Sequence, residues 1–287
     1  MRRAGGRGRL ASLLPVIVGV LVGLGCDAGS RQEGASAPRE APSGVASVGS
    51  SAAAPSSAGA SAAPAASAAP RRVEYLEVVT GGAEASAPLP MLVAIHGRGD
   101  RPETFAGALA GFDRPARVIV PRGLSPLGDG FSWFALQSGL ATDETAQGIL
   151  EAADALASTL RHLETTRPTV GKPVVTGFSQ GGALSFALAL RHPDLVAAAF
   201  PIGGWVPPAI LAASADAKGV PPIVALHGED DARVPIGPTR EAVAALAARG
   251  IKVELKGYPG VGHSISQEMR QDVFELLRKA LPSSGSR

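Results

Sequence analysis

The sequence predicts an α/β fold, a mostly parallel central sheet with helices on both faces, and three observations carry that prediction. Short runs such as Met91-Leu92-Val93-Ala94-Ile95 and Arg117-Val118-Ile119-Val120-Pro121 are apolar on nearly every residue, the mark of a strand covered on both sides. Segments with apolar residues at three- and four-residue spacing lie between such runs. The third observation is Val174-Val175-Thr176-Gly177-Phe178-Ser179-Gln180-Gly181-Gly182-Ala183-Leu184, a β-branched run that passes through a glycine-flanked serine straight into an Ala/Leu-rich segment. That order is strand, sharp turn, helix.

Composition divides the chain before any element is placed. Residues 1 to 25 pair a basic start, Arg2, Arg3, Arg7 and Arg9, with an apolar run from Leu10 to Leu24, the length of a secretory signal and short for a membrane span. The run ends in Leu21-Val22-Gly23-Leu24-Gly25-Cys26, which resembles the lipobox of bacterial lipoproteins, with Gly23 where a larger aliphatic residue is usual. The resemblance implies a lipidated Cys26 as the mature N-terminus, and hence an exported protein of the bacterial cell envelope, anchored to a membrane by its lipid or else secreted. Cys26 is the one cysteine, so no intramolecular disulfide is available. Residues 26 to 70 are nearly all Ala, Ser, Pro and Gly, with no charged or aromatic side chain from Ala41 to Pro70, and are expected to form a disordered tether. Residues 71 to 287 are then expected to form one folded domain. The net charge of +2 is small and weighted to the front end, which excludes a nucleic-acid footprint.

Within that domain the elements follow in order. Val73 to Val79 reads as a strand turned by Gly81-Gly82, Met91 to Ile95 as a buried strand, and 102 to 111 as a short helix with Pro102 in its first turn. Arg117 to Pro121 is the next strand. The loop from Arg122 to Leu140 carries Phe131, Trp133 and Phe134 among glycines, and Trp133 and Phe134 are candidates to wall a substrate pocket. Ala146, Ile149, Leu150, Ala153, Leu156, Ala157, Leu160 and Leu163 mark a long amphipathic helix from about Asp143 to Thr165. After the serine turn come strands at 196 to 200 and 223 to 226, helices near 208 to 216 and 239 to 249, a last strand at 252 to 255 and a last helix from Ser264 to Leu281. In such a sheet, ligands bind beyond the carboxyl ends of the strands. No metal-binding or nucleotide-binding pattern occurs, so no cofactor and no metal are expected.

A serine raised on a strand-to-helix turn is placed for acyl transfer, but its alcohol needs a base, and the base needs a carboxylate to fix its tautomer. Five histidines compete. His192 lies twelve residues or so down the helix from Ser179, roughly 18 Å away, and His162 is near the far end of its own helix. His96 and His227 end strands and are each followed by glycine, which reads as loop shaping. After a nucleophile turn of this kind the acid and then the histidine follow in the chain, and only His263, in Gly260-Val261-Gly262-His263-Ser264, lies beyond the cluster Glu229-Asp230-Asp231. Spacing does not choose among those three acids. The backbone N–H of Gln180, at a helix start, and that of Arg98, in His96-Gly97-Arg98-Gly99-Asp100, are the expected oxyanion donors.

Taken together, Gly177-Phe178-Ser179-Gln180-Gly181-Gly182, His227-Gly228-Glu229-Asp230-Asp231-Ala232-Arg233-Val234-Pro235 and Gly262-His263-Ser264 resemble the phospholipase/carboxylesterase family of α/β-hydrolases, which includes acyl-protein thioesterases. The resemblance covers about residues 73 to 281. It implies a cofactor-free serine esterase acting on a small-molecule ester or acyl substrate, and its His-Gly-x-x-Asp-x-x-Val-Pro pattern assigns the acid to Asp231, so that Ser179, Asp231 and His263 carry over as the triad. Ser132-Trp133-Phe134 resembles the family's substrate-side segment, and Arg98 stands where the family often has leucine. A polyester depolymerase or feruloyl-type esterase on the same triad, and a binding protein that kept the fold without turnover, are the alternatives left open.

Overall fold

The computed structural model describes residues 71–136, 138–214 and 218–283; the expected signal and tether, with Cys26, lie outside the described residues. Strands and helices alternate: β1 (Tyr75–Thr80), β2 (Met91–Ile95), α1 (Pro102–Ala106), β3 (Ala116–Pro121), the short β4 (Ser125–Leu127) and β5 (Gly130–Ser132), α2 (Asp143–Thr166), β6 (Val174–Phe178) and α3 (Gln180–Arg191). They continue through β7 (Ala198–Ile202), α4 (Pro208–Ala213), β8 (Ile223–Gly228), α5 (Ile236–Ala248), β9 (Val253–Tyr258) and α6 (Gln267–Ala280). Seven strands form one sheet in the order β1-β3-β2-β6-β7-β8-β9. Only β1 runs antiparallel to its neighbour, with Val78 opposite Val118. At the centre β2 pairs in parallel with both β3 and β6, setting Leu92 beside Val118 and Val174.

Strand alternation divides the core into two layers. Met91, Val93 and Ile95 point to one face with Val175 and Ala199, and meet the apolar stripes of α2 and α3. Leu92, Ala94, Val118, Phe200 and Ile202 point to the other, under Phe105 of α1 and Met269, Val273 and Leu277 of α6. Those last three recur every four residues and form the buried stripe of α6, with Phe274, Leu276 and Ala280 partly buried beside it. Two helices carry side-chain caps: Thr142 Oγ1 accepts from the Thr145 N–H before α2, and Ser266 Oγ accepts from the Met269 N–H before α6.

Several boundaries differ from the sequence reading. Val196 is buried but belongs to the approach to β7, which starts at Ala198 and runs on to Ile202. The helix expected over 102 to 111 is a single α turn followed by a 3₁₀ turn at Gly107–Leu109. α5 starts three residues earlier than expected, because Pro238 falls in its first turn, where a missing N–H loses no helical hydrogen bond. β9 extends to Tyr258 as an edge strand with alternating exposure. The last helix begins at Gln267 and not Ser264, leaving His263 and Ser264 in a tight loop closed by Ser264 N–H donating to Gly262 O.

Candidate active site

Ser179 sits at the junction of β6 and α3 with φ +57° and ψ −113°, and among the described residues it is the one non-glycine with positive φ. Such a conformation costs about 1–3 kcal/mol and persists because its surroundings hold it. Here the Ser179 N–H donates to Ile202 O at 2.9 Å, while its carbonyl accepts from Ala183 N–H at 3.0 Å to start the helix. The flanking glycines follow from space: a Cβ at Gly181 would lie 2.0 Å from Ile95 O, and one at Gly177 would lie 2.5 Å from Gly181 O. The backbone on both sides of the turn thus touches β2 directly, and any side chain would push the serine out of place.

Two loops at the same sheet edge complete the constellation. His263 Nε2 lies 2.9 Å from Ser179 Oγ, and its Nδ1 lies 2.6 Å from Asp231 Oδ2. A carboxylate only accepts, so Nδ1 carries the proton and Nε2 is left free to accept from the serine hydroxyl. Asp231 is fixed in turn through Oδ1, which accepts the Arg233 and Val234 N–H groups, both at 2.9 Å. Phe178 lies against the imidazole with ring centroids 4.8 Å apart. The acid loop and the histidine loop close on each other through Asp230 N–H to Val261 O, and a Cβ on Gly228 would come within 2.2 Å of that same carbonyl. Of the three clustered acids, Glu229 and Asp230 are exposed, whereas the Asp231 side chain is buried against His263.

The other histidines fall where elimination put them. His192 contacts Asp154 at the far end of α3, and His162 is exposed on α2. His96 is buried: its Nε2 accepts from the Gly123 N–H and its Nδ1 donates to Gly97 O, so it shapes the loop after β2 as a neutral ring. Burial lowers its pKa accordingly. His227 is also buried, with Nε2 donating to Val234 O at 2.7 Å while 3.5 Å from Asp231 Oδ2, and burial again lowers its pKa.

Among the described residues neither the Arg98 nor the Gln180 backbone N–H donates to another backbone carbonyl. The loop bearing Arg98 is pinned by Gly99 N–H donating to Phe131 O at 2.7 Å, and a Cβ on Gly130 would meet Gly99 O at 2.2 Å.

The expectation for Trp133 and Phe134 needs correction, because neither lines the cleft beside Ser179. Both are buried: the Trp133 indole N–H donates to His96 O, and Phe134 stacks edge-on to Trp205. The Gln180 side chain locks the segment from below, with Oε1 accepting from Trp133 N–H and Nε2 donating to Phe134 O. These aromatics anchor the loop to the base of the nucleophile turn. The cleft itself, about 300 Å³, has apolar walls from Leu136, Leu140, Phe178, Trp205 and Val234, with Arg98, Asp100 and Arg233 as its charged lining. Sequence reading missed Trp205, whose only signal was its place after Gly203-Gly204 at the end of β7, and whose indole N–H donates to Leu140 O.

Comparison with known proteins agrees with this geometry. The family model described as phospholipase/carboxylesterase matches residues 74–281. A probable carboxylesterase, SOBER1-like, of Arabidopsis thaliana is 37% identical over 115 residues, 39% of this chain and 44% of the relative. Acyl-protein thioesterase 1 of Gibberella zeae is 34% identical over 113 residues, 38% of this chain and 48% of the relative. The matched stretch thus spans about half the length of these curated relatives. Among solved structures, esterase PE8 superposes with a TM-score of 0.64 at 23% identity, over 73% of this chain and 100% of that one. Acyl-protein thioesterase 2 of Zea mays does so at 0.59 and 24%, over 72% and 99%. These structural likenesses establish the α/β-hydrolase fold, and the match across residues 74–281 establishes that the chain belongs to the phospholipase/carboxylesterase family.

Proposed function

We propose that the protein is a serine hydrolase of carboxylic esters, with Ser179 as nucleophile, His263 as base and acid, and Asp231 as the group that orients the imidazole. The observation that carries this reading is the unbroken relay Ser179 Oγ, His263, Asp231, at 2.9 and 2.6 Å, opening on a cleft. Ser179 Oγ attacks the acyl carbon as His263 Nε2 takes its proton, and the Arg98 and Gln180 N–H groups receive the negative charge that develops on the carbonyl oxygen. Collapse of the tetrahedral intermediate expels the alcohol, to which His263 returns the proton. Water then attacks the acyl-enzyme by the same route and frees the acid. Hydrolysis of p-nitrophenyl butyrate is expected to fall by about four orders of magnitude or more in Ser179→Ala with the fold retained. Turnover unchanged in that variant would defeat the assignment.

The location is a second part of the proposal: export to the bacterial cell envelope and attachment to a membrane through a lipid on Cys26. Its support is the sequence pattern, a basic start and an apolar run ending at the sole cysteine, followed by a stretch composed mostly of Ala, Ser, Pro and Gly. Cys26→Ser is expected to move the protein from the membrane pellet to the soluble fraction, and continued pelleting would count against the anchor.

A further inference from the structure

Two guanidinium groups line the cleft at Ser179, and among the described residues neither has a side-chain partner. Arg98 and Arg233 are both exposed, and among the described residues no side-chain hydrogen bond or ion pair engages either guanidinium. Elsewhere in the domain most arginines are paired: Arg101, Arg117, Arg122, Arg161, Arg167, Arg191, Arg240 and Arg278 each meet an acid. The backbone beneath each of the two free cations is nonetheless tied to the site. Arg98 lies between Gly97 and Gly99, on the loop pinned to Phe131, and the Arg233 N–H is held by Asp231 Oδ1, the carboxylate that also holds His263. Both groups are therefore presented from rigid roots at the mouth of one cleft, on loops from opposite sides of the serine.

The acids of the cleft do not cancel them. Asp231 is buried behind His263, its oxygens committed to His263 and to two N–H groups. Asp100 shares the lining and accepts the Arg101 N–H through Oδ1 at 2.7 Å. The lining thus carries two unpaired cations and one carboxylate, above apolar walls with room, at about 300 Å³, for a compact substrate at the low end of small-molecule sites.

Resting on the esterase reading, we infer that Arg98 and Arg233 together recognise a carboxylate carried by the substrate, so that the preferred ester is a small one with a single negative charge near the bond that is cut. A guanidinium matches a carboxylate with a planar pair of donors, and charge-assisted hydrogen bonds of this kind are the strong ones. The two guanidinium groups and the Asp100 carboxylate leave one net positive charge in the lining, which a single carboxylate on the substrate neutralises.

The test compares two isosteric pairs, each differing in one charge: monomethyl succinate with methyl levulinate, which puts the charge on the acyl side, and acetoxyacetate with acetoxyacetone, which puts it on the alcohol side. Values of kcat/KM are measured for the wild type, Arg98→Gln, Arg233→Gln and the double variant, with circular dichroism to confirm the fold. The anion-to-neutral ratio is then compared between enzymes, so the intrinsic reactivity of each ester cancels. In one of the pairs the double variant is expected to lower that ratio by about tenfold or more. The wild-type ratio should also shrink as ionic strength rises from about 0.01 M to about 1 M. A ratio that stays within about twofold across all four enzymes in both pairs overturns the inference. If Ser179-dependent hydrolysis of p-nitrophenyl acetate persists in that case, the esterase reading stands alone, whereas absence of Ser179-dependent turnover of any ester overturns both.

Discussion

At the scale of single residues, the choice of Asp231 over its neighbour Asp230 rests on hydrogen-bond arithmetic. Asp231 accepts two backbone N–H groups on Oδ1 and the imidazole N–H on Oδ2, while Asp230 exposes its side chain and contributes only its backbone N–H, to Val261 O. In Asp231→Asn the amide oxygen stays with the two N–H groups and the NH₂ turns to His263. The ring must then accept at Nδ1 and carry its proton at Nε2, where it can no longer take one from Ser179. The expected loss in kcat is about 10⁴-fold, against a change of less than about threefold in Asp230→Asn. Steady-state kinetics on p-nitrophenyl butyrate decide it, and the reverse order would move the acid to residue 230. Ser179 and His263 were legible in the sequence from the nucleophile turn and their order in the chain, whereas spacing left three clustered acids open and only the family resemblance singled out Asp231. The cleft walls were not legible, since Leu140, Trp205 and Val234 come from three separate loops and meet only in the fold. Trp133 and Phe134 misled for the converse reason: a glycine-rich loop looks exposed, yet the Gln180 side chain holds the backbone of this segment and both rings are buried.

Elements were legible where burial and period coincide. β2 begins and ends where its apolar run does, and α2 exceeds its expected end by one residue, because the Thr142 cap and the long stripe from Ala146 to Leu163 leave no ambiguity. The ends that slipped lie where backbone hydrogen bonding and hydrophobicity part company. Val196 is as buried as a strand residue but precedes the ladder, whose first pairs join Ala198 to Val174 and Ala199 to Val175. The hairpin β4–β5 was hidden because three-residue strands leave too short a record for period two, and its role is visible only through its partner loop, where Asp100 bridges Phe131. The last helix begins three residues after the expected Ser264, because the Ser266 side chain caps it, and the loop left before it holds the imidazole over the serine.

At the scale of the whole molecule, the fold must hold its antiparallel edge strand against a parallel sheet, and it does so with a buried charge network. The Arg117 side chain is 1% exposed and pairs with Glu77 on β1; Glu77 also binds Arg167 at the end of α2, 3.0 Å away, and Arg117 donates to Ala85 O. One carboxylate thus joins β1, β3 and the α2 terminus. Burial works to raise the Glu77 pKa, but hydrogen bonds and charge from Arg167 and Arg117 outweigh it and hold the carboxyl below its ordinary value. A carboxylate with a depressed folded pKa contributes stability that is present above its unfolded pKa, near 4.5, and is lost as pH falls through the folded value. Glu77→Gln strands the Arg117 guanidinium in the interior, so at pH 7 it is expected to cost about 3 kcal/mol and lower Tm by several degrees. The gap in Tm between wild type and variant should narrow as the pH falls below the unfolded value, near 4.5, and on through the lower folded value, as the wild-type carboxylate takes up its proton. Thermal melts of the two proteins from neutral to acid pH test this, and a gap independent of pH would show that Glu77 holds β1 by packing and not by charge. Because β3 and β2 separate β1 from the nucleophile strand, ester turnover per folded molecule should be unchanged at temperatures well below either midpoint, which isolates the stability of the edge from the chemistry of the centre.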